Sequence, residues 1–252
     1  MKIIYDPRFA DSGYADDNAA LPGRMEAAMS GLLGGGWQVL APRAATEAEL
    51  LCAHDAAHVA AVRAKPALFA MASLAAGGAL HAARLAASGE SAFACVRPPG
   101  HHASRGSGWG YCSFNNLALA LLVLRAEGAV SAPFVLDIDQ HTGDGTRSLL
   151  ASWEGARTFN PFAEGRREYL GLVEAELEGI GGADILAVSA GFDAYRLDVG
   201  RKLKTGDFET IGGLAKRASL RLCGGRRFAV LEGGYYLEDL GANVLAFCRG
   251  FA

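Results

Sequence analysis

No CxxC pair, no basic stretch and no low-complexity linker occurs in this sequence, and each absence closes off a class of function. The five cysteines, Cys52, Cys95, Cys112, Cys223 and Cys248, are scattered and odd in number. Disulfide scaffolds and zinc ribbons use clustered, paired cysteines. These thiols are therefore expected to be reduced and mostly structural, in a cytoplasmic setting. The net charge is −3, and without clustered lysine and arginine neither nucleic acid nor an anionic membrane is an expected partner. The opening MKIIYDPR turns charged within a few residues, unlike a secretory leader. No apolar run reads as reaching the ~20 residues of a membrane span. Without repeats or a linker, residues 1–252 read as one domain.

Hydrophobic residues make up 51% of the chain, enough for a large core. Arginine far outnumbers lysine, and alanine and glycine abound, a composition that hints at a GC-rich bacterial gene. Short β-rich apolar runs at residues 3–5, 37–40, 93–96, 134–138, 185–189 and 228–231 predict strands. Alanine- and leucine-rich stretches at 24–33, 45–53, 74–87, 115–126, 167–179, 208–223 and 240–249 predict helices. Strands without a polar face, alternating with helices, predict an α/β fold whose mostly parallel central sheet carries helices on both faces. Ligands of such sheets bind beyond the carboxyl ends of the strands.

Three segments following predicted strands carry acid or imidazole: RPPGHHA (97–103), LDIDQHTGDGT (136–146) and SAGFDAY (189–195). In DIDQH, Asp137, Asp139 and His141 alternate at period two, which in an extended strand points all three to one face. Such a set needs a cation or strong hydrogen bonds, or else it is a solvated strand end. Asp193 reads either as a ligand or as an ordinary helix cap. Asp139, His141 and Asp193 together make an O,N,O set that suits zinc or ferrous iron and leaves coordination positions open. The doublet His101–His102 follows a rigid Pro-Pro-Gly turn. It admits metal ligation, or an acid/base pair oriented by Asp137 and Asp144. In LEGGYY, Tyr235 or Tyr236 is either a packing residue or a hydrogen-bond donor to an oxyanion. His54, His58 and His81 lie in helix-like sequence and are expected to be structural.

The ordered series RPPGHHA, GYCSFNN, DIDQHTGDGT, SAGFDAY and LEGGYY resembles the histone deacetylase superfamily, including its bacterial amidohydrolase and acetylpolyamine amidohydrolase members. The resemblance runs from about Pro22 to the C-terminus. It implies the three-layer arginase-like α/β fold and a single catalytic zinc held by Asp139, His141 and Asp193. It assigns His101 and His102 to the tandem histidines, with Asp137 and Asp144 as their carboxylate partners. Tyr235 matches the carbonyl-polarising tyrosine, and Gly110 and Tyr111 match the lining of the acyl-lysine tunnel. Asp198 matches a further acid, with Val199 in place of the usual proline. Arg24 resembles an arginine near the inner end of the pocket. The implied substrate is an acylated amine: acyl-lysine, an acetylpolyamine or an acylated small metabolite.

Three departures stand out. Thr142 replaces a second histidine that is not expected to bind zinc. The short run between Thr146 and Asn160 lacks an SLH-like motif, which puts a potassium site beside Asp137 in question. Between Val62 and Leu74 the expected acidic rim loop is shortened to RAKPALFAMAS. The two trimmed rims predict an open mouth, or one completed by a second subunit of a homo-oligomer. Two other readings use the same residues. One is a metal-binding sensor of weak activity, against which the His pair and Tyr235 argue. The other is a serine hydrolase with an elbow at 187–191, which lacks the first glycine.

Overall fold

Every residue of four short runs is buried: Ala92–Ala94, Pro133–Asp137, Ile185–Ala190 and Arg227–Leu231. A strand hidden along its whole length needs a covering layer on each face. The computed structural model, which describes residues 1–252, shows that arrangement. Its strands are β1 (Lys2–Ile4), β2 (Gln38–Leu40), β3 (Ala92–Ala94), β4 (Pro133–Asp137), β5 (Arg157–Phe159), β6 (Ile185–Ala190) and β7 (Arg227–Leu231). They form one sheet in the order β2-β1-β3-β7-β6-β4-β5, and every pair is parallel. The exposed three-residue strands β2 and β5 close its two edges.

The helices are α1 (Arg24–Leu33), α2 (Glu47–Ala53), α3 (Ala56–Arg63), α4 (Pro66–Ala87), α5 (Asn116–Ala126), α6 (Asp144–Leu150), α7 (Arg166–Gly179), α8 (Thr205–Cys223) and α9 (Leu237–Phe251). Helix α4 packs on β1, β3 and β7 and against α5, while α9 packs with α1 and α8, and α8 reaches β6. Phe93 of β3 meets Phe247 of α9 at 6.1 Å between ring centroids. This is the three-layer α/β architecture that the alternation of strands and helices predicts.

Three sequence expectations are corrected. The stretch 62–74 is mostly helix, with the shortened connection reduced to Ala64 and Lys65: α3 ends at Arg63 and α4 begins at Pro66, where proline's missing N–H costs nothing at a first-turn position. Helix α4 is also long and apolar enough, by length and composition alone, to cross a membrane, contrary to the expectation that no run is. Most of it is buried among the core helices and strands. Finally, β5, α3 and α6 escape the apolar pattern because each is short, and β5 is mostly exposed.

The central strands β3, β7, β6 and β4 are neighbours and point the same way. Their following segments carry RPPGHH, EGGYY, GFD and the DQH turn, so the sheet's topology gathers these groups at one edge.

Candidate active site

Strand β4 stops at Asp137, and the chain then curls instead of continuing extended. The Asp139 N–H donates to Asp137 Oδ1 at 3.1 Å, and the His141 N–H donates to Asp139 Oδ1 at 2.9 Å. These side-chain-to-backbone turns replace the period-two strand expected for Asp137, Asp139 and His141. They still bring the groups together. Asn160 secures the outer side of the turn, its amide donating to the Asp137 carbonyl at 2.8 Å and the Asp139 carbonyl at 3.4 Å.

Asp193 leaves the end of β6 and accepts the Gln140 N–H on Oδ1 at 2.8 Å. Gly233, just past β7, donates its N–H to Asp139 Oδ2 at 2.9 Å. A Cβ at position 233 would lie 2.6 Å from that oxygen and 3.0 Å from Asp193, so only glycine lets the backbone come so close.

One ligand atom each from Asp139, His141 and Asp193 fall within 4.8 Å of one another. His141 Nδ1 is 3.0 Å from Asp139 Oδ1 and 2.9 Å from Asp193 Oδ2. Asp193 Oδ2 is nevertheless buried without a hydrogen bond, because the ring N–H serves Asp139. Burial, then the charge of Asp139, pushes the Asp193 carboxyl up to about 7. The hydrogen bond to Asp139 first, and then the adjacent Asp193 carboxylate, push His141 up to about 10. Two buried carboxylates facing one imidazole, with one oxygen orphaned, are a donor set that a divalent cation satisfies. Donors held about 2.0–2.2 Å from a shared zinc stand roughly 3–3.5 Å apart, close to the spacing here. The residues fit such an ion.

The histidines form two dyads. His101 Nδ1 is 3.0 Å from Asp137 Oδ2, and His102 Nδ1 is 2.7 Å from Asp144 Oδ1. Carboxylates only accept, so each Nδ1 carries the hydrogen and each Nε2 is left for other chemistry. The environments differ. Burial opposes a charge on His101, but Asp137 and Asp139 outweigh it and hold that imidazole well above its usual range. Burial and the neighbouring His101 push His102 below it, against the pull of Asp144. Paired groups driven apart in this way divide into acid and base.

Both histidines line a cavity of about 300 Å³ together with Asp139, His141, Tyr235, Tyr111, Gly110 and Trp109. Burial raises the Tyr235 phenol, so it stays protonated and able to donate. Its backbone is pinned: Asp198 Oδ2 accepts the N–H groups of Tyr235 and Tyr236 at 2.6 and 2.8 Å. The fully buried Arg24 donates to the Gly234 and Glu232 carbonyls at 2.9 and 2.5 Å, with its guanidinium 5.4 Å from the Tyr235 ring. Val199 lines the mouth. The Tyr111 and Tyr235 rings meet edge to face at 6.0 Å.

Gly110 and Tyr111 take φ values of 55° and 68°, the left-handed region that strains a residue with a side chain. At position 110 a Cβ would also lie 2.5 Å from His102 Cδ2. Tyr111 bears that strain at the mouth of the cavity. His54 and His58 brace this loop from behind. His54 accepts the Asn115 N–H at 3.0 Å and donates to the Ser104 carbonyl at 2.8 Å, and His58 donates to the Ser113 carbonyl at 2.7 Å. Burial drops His54 to about 4, which keeps it neutral, a structural role as expected.

Sequence reasoning missed Glu232, Trp109, Asn18 and Pro99. Glu232 is fully buried and accepts the N–H groups of Gly100 and His101 at 2.6 and 3.2 Å. Ser189 Oγ donates to its other oxygen at 3.2 Å. A glutamate in an otherwise apolar strand end is the signal that could have found it. Trp109 stands beside Gly110, and the clue there is an aromatic in a glycine-rich loop. Asn18 and Pro99 line the mouth; Pro99 sits in the Pro-Pro-Gly turn, which the sequence marks only as a backbone constraint, and nothing in the local sequence marks Asn18.

The histone deacetylase domain model matches residues 20–181. A "Probable deacetylase" of Methanothermobacter thermautotrophicus is 35% identical over 73% of this chain and 66% of its own length. An "Acetylpolyamine amidohydrolase" of Burkholderia pseudomallei is 34% identical over 64% of this chain and 56% of its own. The crystal structure of the HDA15 HD domain superposes with a TM-score of 0.86 at 24% identity, covering 99% of this chain and 88% of that one. That likeness speaks to the fold. The chain spans between about a third and two thirds of the length of the curated relatives it matches. A domain match over residues 20–181 takes in both His–Asp dyads and the Asp139–His141 turn. On that evidence, joined to the shared architecture, the chain belongs to the histone deacetylase family.

Proposed function

We propose that this chain is a zinc-dependent amidohydrolase that removes an acetyl or other acyl group from an amine. One observation carries the reading: two His–Asp dyads, an O,N,O donor set and a protonated tyrosine converge on one cavity of about 300 Å³. Zinc held by Asp139, His141 and Asp193 supplies Lewis acidity toward the acyl carbonyl, and ferrous iron suits the same donors. The chain's own groups supply the rest. His102, its Nδ1–H fixed by Asp144, presents Nε2 as the base that takes a proton from the attacking water. The Tyr235 hydroxyl donates to the carbonyl oxygen as negative charge builds there. His101, which with Asp137 retains a proton at neutral pH, is the acid for the leaving amine. Gly110 and Tyr111 line the passage for the acyl-amine stem. Acetate, or the corresponding acid, and a free amine are the products.

Acyl-lysine, acetylpolyamines and acylated small metabolites all fit the chemistry. Relatives named for acetylpolyamine hydrolysis support an amine product. Five free cysteines suit a reducing cytoplasm. The Asn160 amide on the carbonyls of Asp137 and Asp139 argues for a turn that stands without potassium. The test is hydrolysis of an acetyl-lysine peptide, acetylputrescine and a longer acyl-lysine by the zinc-loaded protein, with and without chelator. Chelator-sensitive turnover of any one is expected. Zinc-loaded protein inert toward all three would count against the reading.

A further inference from the structure

Trp109 is 56% exposed, so burial does not explain it. Its ring lies over the His102 imidazole, with centroids 3.8 Å apart and planes tilted by 33°. Its indole Nε1–H donates to Asp144 Oδ2 at 3.0 Å, while Asp144 Oδ1 takes His102 Nδ1 at 2.7 Å. One tryptophan therefore touches both members of the dyad, and both carboxylate oxygens are engaged. The other dyad needs no such help: the Asp137 side chain is 6% exposed, whereas that of Asp144 is 51% exposed. Asp144 stands on the first turn of α6 at the surface. There water competes for its oxygens, and a rotation of the carboxylate would release His102 Nδ1.

The backbone at Gly110 is close as well and leaves no room for even a Cβ beside His102 Cδ2. The imidazole is thus confined by indole and backbone and tethered through one carboxylate.

Resting on the assignment of His102 as the base, we propose that Trp109 is a positioning residue: its indole N–H and ring fix the Asp144–His102 dyad so that His102 Nε2 faces the cavity. A substrate-binding wall would need the ring but not the N–H. A positioning residue needs both, and acts through Asp144.

The experiment is steady-state kinetics of the zinc-loaded wild type, Trp109→Phe, Trp109→Leu, Asp144→Asn and the Trp109→Phe/Asp144→Asn pair. Loss of one hydrogen bond predicts kcat down about three- to tenfold in Trp109→Phe, with KM within about twofold. Trp109→Leu, losing the ring too, falls further. On the Asp144→Asn background the Phe substitution adds less than about twofold, because its route is already cut. Unchanged kcat, a change confined to KM, or full multiplicative loss in the pair would overturn the proposal. If the wild type itself hydrolyses nothing, the amidohydrolase reading fails. The positioning role is then read from the ¹⁵N shifts of the His102 ring. A single Nδ1–H tautomer that becomes a mixture in Trp109→Phe upholds it, and an unaltered tautomer overturns it.

Discussion

Asp193→Asn should make the metal-free protein more stable while destroying its metal site. In the wild type this fully buried carboxyl is pushed up to about 7, against an ordinary value of about 3.9. An acid whose folded pKa is raised carries no penalty below its unfolded pKa. The penalty grows as pH rises between the two values and is constant above the folded one. At pH 8 the shift corresponds to about 4 kcal/mol of lost stability. Asparagine carries no such charge. Its oxygen can still accept the Gln140 N–H, but its amide group must fill the place of the orphaned Oδ2, at a cost of about 2 kcal/mol. A net gain of about 2 kcal/mol remains at pH 8. At pH 5 the wild-type penalty shrinks to less than about 2 kcal/mol, and the advantage disappears. Urea unfolding of chelator-treated proteins at both pH values measures the difference. Zinc titration of the same samples should show affinity reduced by more than about a hundredfold, since even partners behind the ligands are worth 10–100-fold. A variant less stable than wild type at both pH values, or one binding zinc as tightly as wild type, would refute the reasoning.

Three further outcomes are expected. Tyr235→Phe should keep its zinc and lose about 10²–10³ in turnover; near-normal kinetics would remove the phenol from the oxyanion role. His102→Asn should fold, bind zinc and lose about 10²–10⁴ in rate, whereas a loss of only a few-fold would move the base role to His101. Glu49, mostly buried, caps α2 and pairs with Arg43 and Arg84, and Arg43 above all holds it down to about 2. Its contribution is complete above the usual glutamate value and fades as pH falls toward 2. Arg43 and Arg84 are themselves partly exposed, which screens the pairing, so Glu49→Gln should cost about 1–2 kcal/mol at pH 7 in thermal or urea unfolding, and an unchanged midpoint would exclude the pairing as a source of stability.

The four strands that carry the site were legible because each is an apolar run hidden on both faces, the strongest pattern a parallel sheet leaves in a sequence. Their shared direction then followed from topology, and with it the meeting of Asp139, His141, Asp193 and the His pair. The edge strand β5 was not legible: Arg157–Phe159 is three residues long and mostly exposed, so no apolar run marks it. The helical start at Pro66 was hidden because the stretch 62–74 was read against the length of a rim loop, although proline at the first helical position is itself a start signal. Period-two spacing grouped Asp137, Asp139 and His141, which do come together, but through turns and not through an extended strand. Short aspartates that hydrogen-bond their own backbone override strand propensity. Trp109 and Glu232 act through partners distant in sequence, Asp144 and the 100–101 backbone, and no local pattern reports such a pairing.

Asn160 has a consequence for how the site meets its surroundings. A carbonyl pair held by a dissolved cation is only as ordered as the concentration of that cation allows. A donor on the same chain is different: dilution and dialysis do not lower its effective concentration. With the amide of Asn160 on the Asp137 and Asp139 carbonyls, the shape of the ligand turn is set at folding. If the proposed hydrolysis holds, potassium and sodium buffers of equal ionic strength should then give the same turnover, and the site would not sense the ionic composition around it.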